Sequence, residues 1–297
     1  MRKKLYGAVL SVFFFSTLVL TGCGADPAGE NPISVISRED GSGTRGAFVS
    51  LFEIEEINEE QEPEDETTTE AVITNSTAVM MQMVEGDPNA IGYLSLGSLH
   101  PMVKAVSING VSPSIETLEN GTYPVSRPFL LVEDPSGISE VAEDFLNFLT
   151  SREGQEVLME NGYGTISGTK EAYRETSQSG KIVLAGSSSV APVMEKVKEA
   201  YCKMHPNVII EIQQSDSTTG IQSALDGTCD FGMTSRHLKE SEKAKGAEEQ
   251  TVGMDGIAVV VNQDNPVDDL SKEEVKQIFT GRRTDWNQIT ESKKVEP

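Results

Sequence analysis

Basic residues are scarce in this sequence. Its 297 residues include 24 lysines and arginines against 47 aspartates and glutamates, so the formal net charge is −23. Nucleic-acid binding needs a cationic face, and this composition argues strongly against it. Much of the acidic excess lies in residues 53–70, EIEEINEEQEPEDETTTE. Such a run predicts a solvated surface loop, and it lacks the regular carboxylate spacing of a calcium-binding loop.

Histidine and cysteine are scarce as well, with 3 of each in the chain. The histidines show no metal-ligand spacing, and the sequence contains no HExxH, Walker A or G-x-S-x-G motif. We therefore predict no catalytic residue, no metal and no other cofactor. Beyond Cys23 only Cys202 and Cys229 remain. Two cysteines are too few for a disulfide framework, so free or buried thiols are favoured, although one bridge stays open.

A hydrophobic run long enough to cross a membrane is also absent, since a spanning helix needs roughly 20 apolar residues. The apolar stretch at 8–20 is shorter and follows a basic N-terminus, as in a signal peptide. It leads into Leu-Thr-Gly-Cys, which matches the bacterial lipobox. We predict that residues 1–23 form a lipoprotein signal peptide with Cys23 lipidated, and that 24–32 form a tether. The protein would then be extracytoplasmic and lipid-anchored to the cell membrane; an ordinary secretory signal is the alternative.

From residue 33 onwards, short β-rich apolar segments alternate with amphipathic helical segments. Strands are predicted at 33–37, 91–96, 129–133, 182–186, 208–212, 231–235 and 257–262. Apolar helix faces are predicted from Val141, Phe145, Phe148 and Leu149, from Val193, Val197, Ala200 and Tyr201, and from Val275, Ile278 and Phe279. The alternation indicates an α/β fold. The polar segment 170–181 is typical of a linker between two halves.

Three stretches share one pattern, in which a strand-like segment leads through a loop rich in small hydroxyl residues into a helical segment. They are SREDGSGTRGAF at 37–48, AGSSSVAPVMEKV at 185–197 and QQSDSTTGIQSAL at 213–225. A helix start leaves about four backbone N–H groups unpaired and carries roughly half a positive charge. Glycine permits close backbone approach, and serine or threonine either caps the helix or donates its hydroxyl proton to an oxyanion. One such loop is ordinary capping, whereas three together indicate a shared oxyanion site.

Arg38 lies in the first of these loops and strengthens the interpretation. Its guanidinium can bind two oxygens of an oxyanion as a bidentate fork. The structural alternative is a surface ion pair with Glu39 or Asp40.

Six motifs together carry a family resemblance: SREDGSGTRGAF, GSSSVAPVMEKV, GIQSALDGTCDFGMTSRHLK, DGIAVVVNQDNPVDDLSKEEVKQIFTG, GDPNAIGYLSLGSL and NGTYPVSRPFLLV. From residue 33 to the end, the chain resembles the substrate-binding lipoprotein of the bacterial high-affinity phosphate ABC transporter, in the periplasmic-binding-protein superfamily. The resemblance implies a two-lobed, type II-like α/β fold that closes on one phosphate ion by hinge motion. It also implies delivery of that ion to a membrane permease, without chemistry. We expect a monomer.

The resemblance also implies a set of phosphate contacts. The family's arginine and Ser-Gly-Thr contacts correspond to Arg38, Ser42, Gly43 and Thr44, and its first serine loop to Ser189 and the Val190 backbone. The hydroxyl of the second loop corresponds to Ser217, and a further contact to Ser235 or Arg236.

Arg236 departs from the family pattern, because some members have an aspartate there that accepts a proton from hydrogen phosphate. A carboxylate acceptor discriminates protonated phosphate from sulfate. We hypothesise that Asp40 or Asp255 supplies this acceptor here.

The order of the halves is a second departure. Residues 33–177 resemble the family's second half, and residues 180–297 resemble its first. This order predicts a circular permutation, which exposed loops with nearby ends tolerate; a cut from a tandem gene or a misassembled reading frame is the alternative.

Lobe boundaries follow from the expected interlobe crossings at 124–128 and 252–256. One lobe, with the SREDGSGT loop, would comprise 33–127 and 253–297. The other, with the GSSSVAP and DSTTG loops, would comprise 128–252.

Three other functions stay open at this point. The same fold can bind sulfate, molybdate or another tetrahedral oxyanion. It can also serve as a surface phosphatase, or as a sensory lipoprotein that no longer transports.

Overall fold

The computed structural model of the protein describes residues 31–57, 63–133, 136–168 and 171–289. The lipobox with Cys23, residues 24–30 of the predicted tether and the end of the chain lie outside these ranges. The last two tether residues are described, and Asn31 N donates to Asp285 at 3.0 Å. The helices are α1 Gly43–Leu51, α2 Thr77–Gly86, α3 Ile115–Glu119, α4 Glu140–Thr150, α5 Arg152–Glu160, α6 Ala191–Met204, α7 Ser217–Leu225, α8 Glu240–Lys243 and α9 Lys272–Phe279, with a short 3₁₀ turn at Leu96–Ser98. No helix in the described ranges is long and apolar enough to cross a membrane.

The strands are β1 Ser34–Arg38, β2 Glu55–Ile57, β3 Pro63–Asp65, β4 Val72–Thr74, β5 Ala90–Ser95, β6 Val103–Ala105, β7 Ser107–Ile108, β8 Ser126–Glu133, β9 Gly180–Ser187, β10 Val208–Ser215, β11 Phe231–Thr234, β12 Glu248–Asn262 and β13 Asp269–Leu270. Most of them form one sheet of order β10-β9-β11-β8-β12-β5-β1-β4, with β6 also paired to β12. The alternation of strands and helices confirms the predicted α/β fold.

Strand β12 belongs to both halves of this curled sheet. Its first part, from Glu248 to Gly256, pairs antiparallel with β8, and its last part, from Ile257 onwards, pairs antiparallel with β5 and β6. On one side β9 runs parallel to β10 and β11, and on the other β1 runs parallel to β4 and β5. A helix follows β1 and another follows β9, so the loops that connect them lie at the carboxyl ends of these two strands.

The buried side chains separate into clusters that follow these halves. The largest cluster is drawn from residues 129–252, and another is drawn from 35–125 together with 257–289. The predicted boundaries of the lobes at 127/128 and 252/253 stay a prediction.

The predicted helix faces are buried as their periodicity requires. Phe145, Phe148 and Leu149 of α4 and Val197 and Tyr201 of α6 lie in one core cluster, at the spacing that puts residues on one side of a helix. Helix α4 begins after Ser139, whose hydroxyl oxygen accepts a hydrogen bond from Ala142 N.

Two segments differ from the sequence-based expectation. The acidic run is not only loop, because residues 55–57 and 63–65 pair as a short antiparallel hairpin; residues 58–62 lie outside the described ranges. The described part of the predicted linker at 170–181 is also more than a polar connection, because it is hydrogen-bonded to α4 and α5. Tyr173 Oη donates a hydrogen bond to buried Asp144, at 2.5 Å, and its backbone N donates to Glu153 at 2.7 Å.

Candidate anion-binding site

The three hydroxyl-rich loops meet one another at the ends of their strands. Thr44 Oγ1, in the first turn of α1, lies 2.7 Å from Ser189 Oγ in the loop after β9. Thr218 contacts the first loop from α7, since its backbone N and its hydroxyl each lie 3.2 Å from Gly41 O. Residues far apart in sequence thus form one polar centre, which explains why the chain repeats the same loop type.

Gly43 is where the backbone approaches most closely. A Cβ at this position would lie 2.3 Å from Ser217 Oγ and 2.6 Å from Ser235 Oγ, closer than a real side chain tolerates. Ser217 Oγ in turn accepts a hydrogen bond from Ser235 N at 3.2 Å, and the Ser235 hydroxyl lies 3.1 Å from that of Ser187. Only glycine fits position 43 in this arrangement.

The capping pattern shows which groups are already used. Ser42 is the N-cap of α1 and accepts from Arg45 N, so its hydroxyl proton is still available to an acceptor. Asp216 caps α7 by accepting from Thr219 N at 2.9 Å, which frees Ser217 from that task. Helix α6, which begins just after Val190, has no side-chain cap at its N-terminus.

Val190 N itself is engaged, because it donates to Ser187 O at 3.1 Å in the tight turn that opens α6. Ser189 N lies 3.3 Å from Ser187 Oγ and donates to it. Ser187 was not predicted as a site residue, although the run of serines in GSSSVAP marked the loop that contains it.

Arg38 is buried, with 2% of its side chain exposed, and its guanidinium is fixed on several sides. Nε and Nη2 each donate to a different oxygen of Glu39, both at 2.8 Å, and Nη2 also donates to Ser188 Oγ at 3.1 Å. The ion pair with Glu39, which was the structural alternative to an anion-binding role, is present. It is not a surface pair, because Arg38 is buried. The pair compensates the charge of the guanidinium, and the bond to Ser188 ties it to the GSSSVAP loop.

Tyr93 is a further member of the site that sequence reasoning missed. Its hydroxyl accepts from Arg38 N at 3.2 Å and lies 2.9 Å from Ser37 Oγ. Its ring stacks on Phe48 of α1, with 3.8 Å between the ring centroids. Burial raises the pKa of Tyr93 to about 12, so it stays a neutral hydroxyl. A tyrosine in an apolar strand carried no signal of this role.

Arg236 is held by Glu242 and by Thr218. Nη1 and Nη2 donate to the two oxygens of Glu242, each at 2.8 Å, and Nη2 also donates to Thr218 Oγ1 at 3.1 Å. Of the two candidates at this position, Ser235 is the one that the structure brings next to Gly43 and Ser217.

Neither of the hypothesised proton acceptors, Asp40 and Asp255, is an unpaired carboxylate at the loops. The Asp40 side chain is 96% exposed and pairs with Arg45 at 2.6 Å. Asp255 is fully buried, but its Oδ1 accepts from Ser95 Oγ at 2.8 Å and its Oδ2 from Arg127. Burial raises the pKa of Asp255, and Arg127 opposes that shift.

No cluster of three or more potential metal-ligating side chains occurs among the described residues. In the same part of the chain, Cys202 and Cys229 are not joined by a disulfide.

The chain is similar to known proteins over most of its length. The chain matches the PBP superfamily domain over residues 24–153 and 171–296. A phosphate-binding protein PstS 2 from Streptococcus agalactiae serotype V is 48% identical over 274 residues, 92% of this chain and 93% of that protein. A protein of the same name from Streptococcus pneumoniae serotype 4 is 41% identical over 287 residues, 94% of this chain and 97% of that protein.

A crystal structure of a phosphate-binding protein of a phosphate ABC transporter from Streptococcus pneumoniae TIGR4 is similar in fold. It is 42% identical, covers 87% of this chain and 99% of its own, and superposes with a TM-score of 0.67.

The order of the halves is shared with these relatives, because each aligns along nearly its whole length with nearly the whole of this chain. The comparisons therefore do not confirm a circular permutation. That the halves are permuted relative to other members of the family stays a prediction. On fold and sequence alike, the chain belongs to the PBP superfamily and, within it, to the family of the proteins named phosphate-binding protein PstS.

Proposed function

We propose that this protein captures inorganic phosphate between the two halves of its fold and delivers it to the membrane permease of an ABC transporter. The observation that carries the proposal is the meeting of three hydroxyl-rich loops, each opening a helix, one of which is bonded to the buried guanidinium of Arg38. Helix starts and hydroxyl groups bind tetrahedral oxyanions through short-range donors. The names of the relatives point to the same ligand.

The proposed contacts are drawn from all three loops. From the first come the Arg38 guanidinium, the Ser42 and Thr44 hydroxyls and the Gly43 backbone. From the other two loops come Ser217 and Ser189 with the Val190 backbone, whose N–H would have to leave Ser187 O. Ser235, which follows β11, completes the set. Arg236 is the least supported of the predicted contacts, because its guanidinium is held by Glu242.

Release of the ion requires the loops to separate, and β8 and β12 are the strands about which this would occur. The contacts between Thr44 and Ser189, and between Arg38 and Ser188, would break on opening. We propose that the protein works by this hinge motion as a monomer. It would have no catalytic activity, and a lipid on Cys23 would hold it outside the membrane.

The direct test is calorimetric titration of phosphate, and then of sulfate, into the chain that starts just after Cys23. Tight one-to-one binding of phosphate that excess sulfate leaves unchanged is the expected result. Equal binding of sulfate would instead assign the site to tetrahedral oxyanions in general. A folded sample that binds neither would refute the proposal, and hydrolysis of p-nitrophenyl phosphate would assign an enzyme.

A further inference from the structure

Arg127 and Asp255 lie opposite each other on the antiparallel strands β8 and β12, where the two halves of the sheet join. Nε and Nη2 of Arg127 donate to the same oxygen, Asp255 Oδ2, at 3.1 and 2.9 Å. The side chains are 2% and 0% exposed. Burying an ion pair so completely carries a desolvation cost that its own attraction often does not recover. This pair therefore calls for a reason beyond stability.

One donor of this guanidinium is unused. Nη1 of Arg127 is buried and has no hydrogen-bond partner among the described residues. Since Nε and Nη2 both face Asp255, the planar fork turns Nη1 away from that carboxylate. Arg127 also lies against the Phe129 ring, with 5.5 Å from Cζ to the ring centroid, which limits its freedom to turn. A buried charged donor left unpaired is costly, and such a group usually has a partner in the functional state.

The unused donor lies at the end of the sheet that carries the anion-binding loops. Strand β8 runs antiparallel to β11, and Leu130 pairs with Thr234, the last residue of β11, so Arg127 lies three residues beyond that pair, on the side where Ser235 follows. In the other half, Ile257 of β12 pairs with Ser95, the last residue of β5.

The charge of Arg38 acts on Arg127. Burial lowers the pKa of Arg127, Asp255 opposes that shift, and the charge of Arg38 lowers the pKa further. Two guanidinium groups repel in a buried setting, and an anion that both can reach removes the repulsion. Each is already paired with a carboxylate, but only Arg127 has a buried nitrogen without a partner.

We propose that Arg127 is a further anion-binding residue, which donates a hydrogen bond from Nη1 to the oxyanion held by the three loops while Asp255 positions its guanidinium. The inference rests on the proposed function, since it requires an oxyanion in the loop site. It also gives Asp255 a role other than the proton acceptor hypothesised from the sequence. The carboxylate orients the arginine through Oδ2, while its Oδ1 accepts a hydrogen bond from Ser95.

The test compares Arg127→Lys with the wild-type protein and with Arg283→Lys as a control. Lysine retains the charge but has a single nitrogen, which cannot replace the Nε and Nη2 bonds to Asp255 Oδ2 and the Nη1 bond to the anion together. We expect phosphate to bind about 10- to 100-fold more weakly to Arg127→Lys, the range for one lost charge-assisted hydrogen bond. Arg283 pairs with Glu274 on α9 at 3.5 Å, outside the site, and its variant should bind as the wild type does.

A second measurement separates contact with the anion from an effect on the hinge. Small-angle scattering of each variant saturated with phosphate should give the radius of gyration of the saturated wild type if Arg127 acts by contact. A larger radius would show that it acts on closure, which would overturn the inference. If Arg127→Lys does not fold, Arg127→Gln with Asp255→Asn removes both buried charges together and undergoes the same titration.

Two failures are distinguishable. A wild-type protein that binds no phosphate overturns the proposed function and this inference with it. A wild type that binds phosphate, together with Arg127 variants of equal affinity, overturns only the inference and leaves Nη1 to a buried water.

Discussion

Gly43→Ala tests whether the loops must meet as closely as the structure shows. The added methyl group would lie 2.3 Å from Ser217 Oγ, 2.6 Å from Ser235 Oγ and 3.0 Å from Ser217 Cβ. Ordinary contact begins at 3.4 Å, so the start of α1 must withdraw by about 1 Å from the opposing loops. Ser217 cannot simply rotate aside, because it is fully buried and its hydroxyl is bonded to Ser235 N.

The magnitude follows from the hydrogen bonds at the same interface. A withdrawal of about 1 Å would stretch the 2.7 Å contact between Thr44 and Ser189 beyond hydrogen-bonding distance. The 3.1 Å bond from Arg38 to Ser188 would be lost with it. Two bonds worth about 0.5–1.5 kcal/mol each give about 1–3 kcal/mol, which corresponds to a roughly 5- to 150-fold loss of phosphate affinity.

Calorimetric titration of phosphate into Gly43→Ala and Gly46→Ala measures this loss. Gly46 lies one turn further along α1, and a Cβ there would meet only Arg236 Cδ, at 3.6 Å. It therefore controls for the general effect of alanine on the helix. Equal phosphate affinity in the two variants would refute the close approach of α1 to the opposing loops.

Three further predictions concern single side chains. Arg38→Lys should weaken phosphate binding about 10- to 100-fold, because the flat guanidinium that spans two loops is lost; an unchanged titration would exclude it from the site. Asp40→Asn should leave the preference for phosphate over sulfate unchanged, since the Asp40 side chain is 96% exposed and its carboxylate pairs with Arg45. A lost preference would restore Asp40 as the proton acceptor. Glu153 accepts a hydrogen bond from Tyr173 N, which together with its other hydrogen bonds lowers its pKa from 4.5 to about 2. Its stabilisation is therefore present above pH 4.5 and is lost as the pH falls to about 2, so the difference in Tm between wild type and Glu153→Gln should shrink across that range; a constant difference would contradict this assignment.

The sequence predicted the elements whose signal is local. The face of α4 could be recognised because residues such as Phe145 and Phe148 recur at helical spacing, and burial of both confirms it. The beginning of β12 could not be recognised, because residues 248–256 do not alternate and contain Gly253 and Gly256. That segment is extended because β8 supplies its backbone hydrogen bonds, and pairing between distant segments overrides weak strand propensity.

The same distinction applies to the anion-binding loops. Their serines, threonines and glycines mark helix starts, so the loops were recognisable one by one, and the structure brings Thr44 and Ser189 together as that interpretation required. The pair of Arg127 and Asp255 was not recognisable, because 128 residues separate the partners and neither has a local signal. A buried ion pair between distant residues depends on the register of two strands, which the sequence alone does not reveal.

An acidic protein can bind an anion because the two properties operate over different distances. Arg38, Arg127 and Arg236 are each paired with a carboxylate of their own, so the guanidinium groups near the site add little net charge. Attraction from afar is therefore weak, and the surface charge of the chain is screened within about 8–10 Å in physiological salt. Affinity must come instead from short-range donors to the ion, namely helix N-termini, buried hydroxyl groups and the proposed arginine donors. These donors keep their geometry whatever the surface charge, because the loops that carry them are held by the sheet beneath.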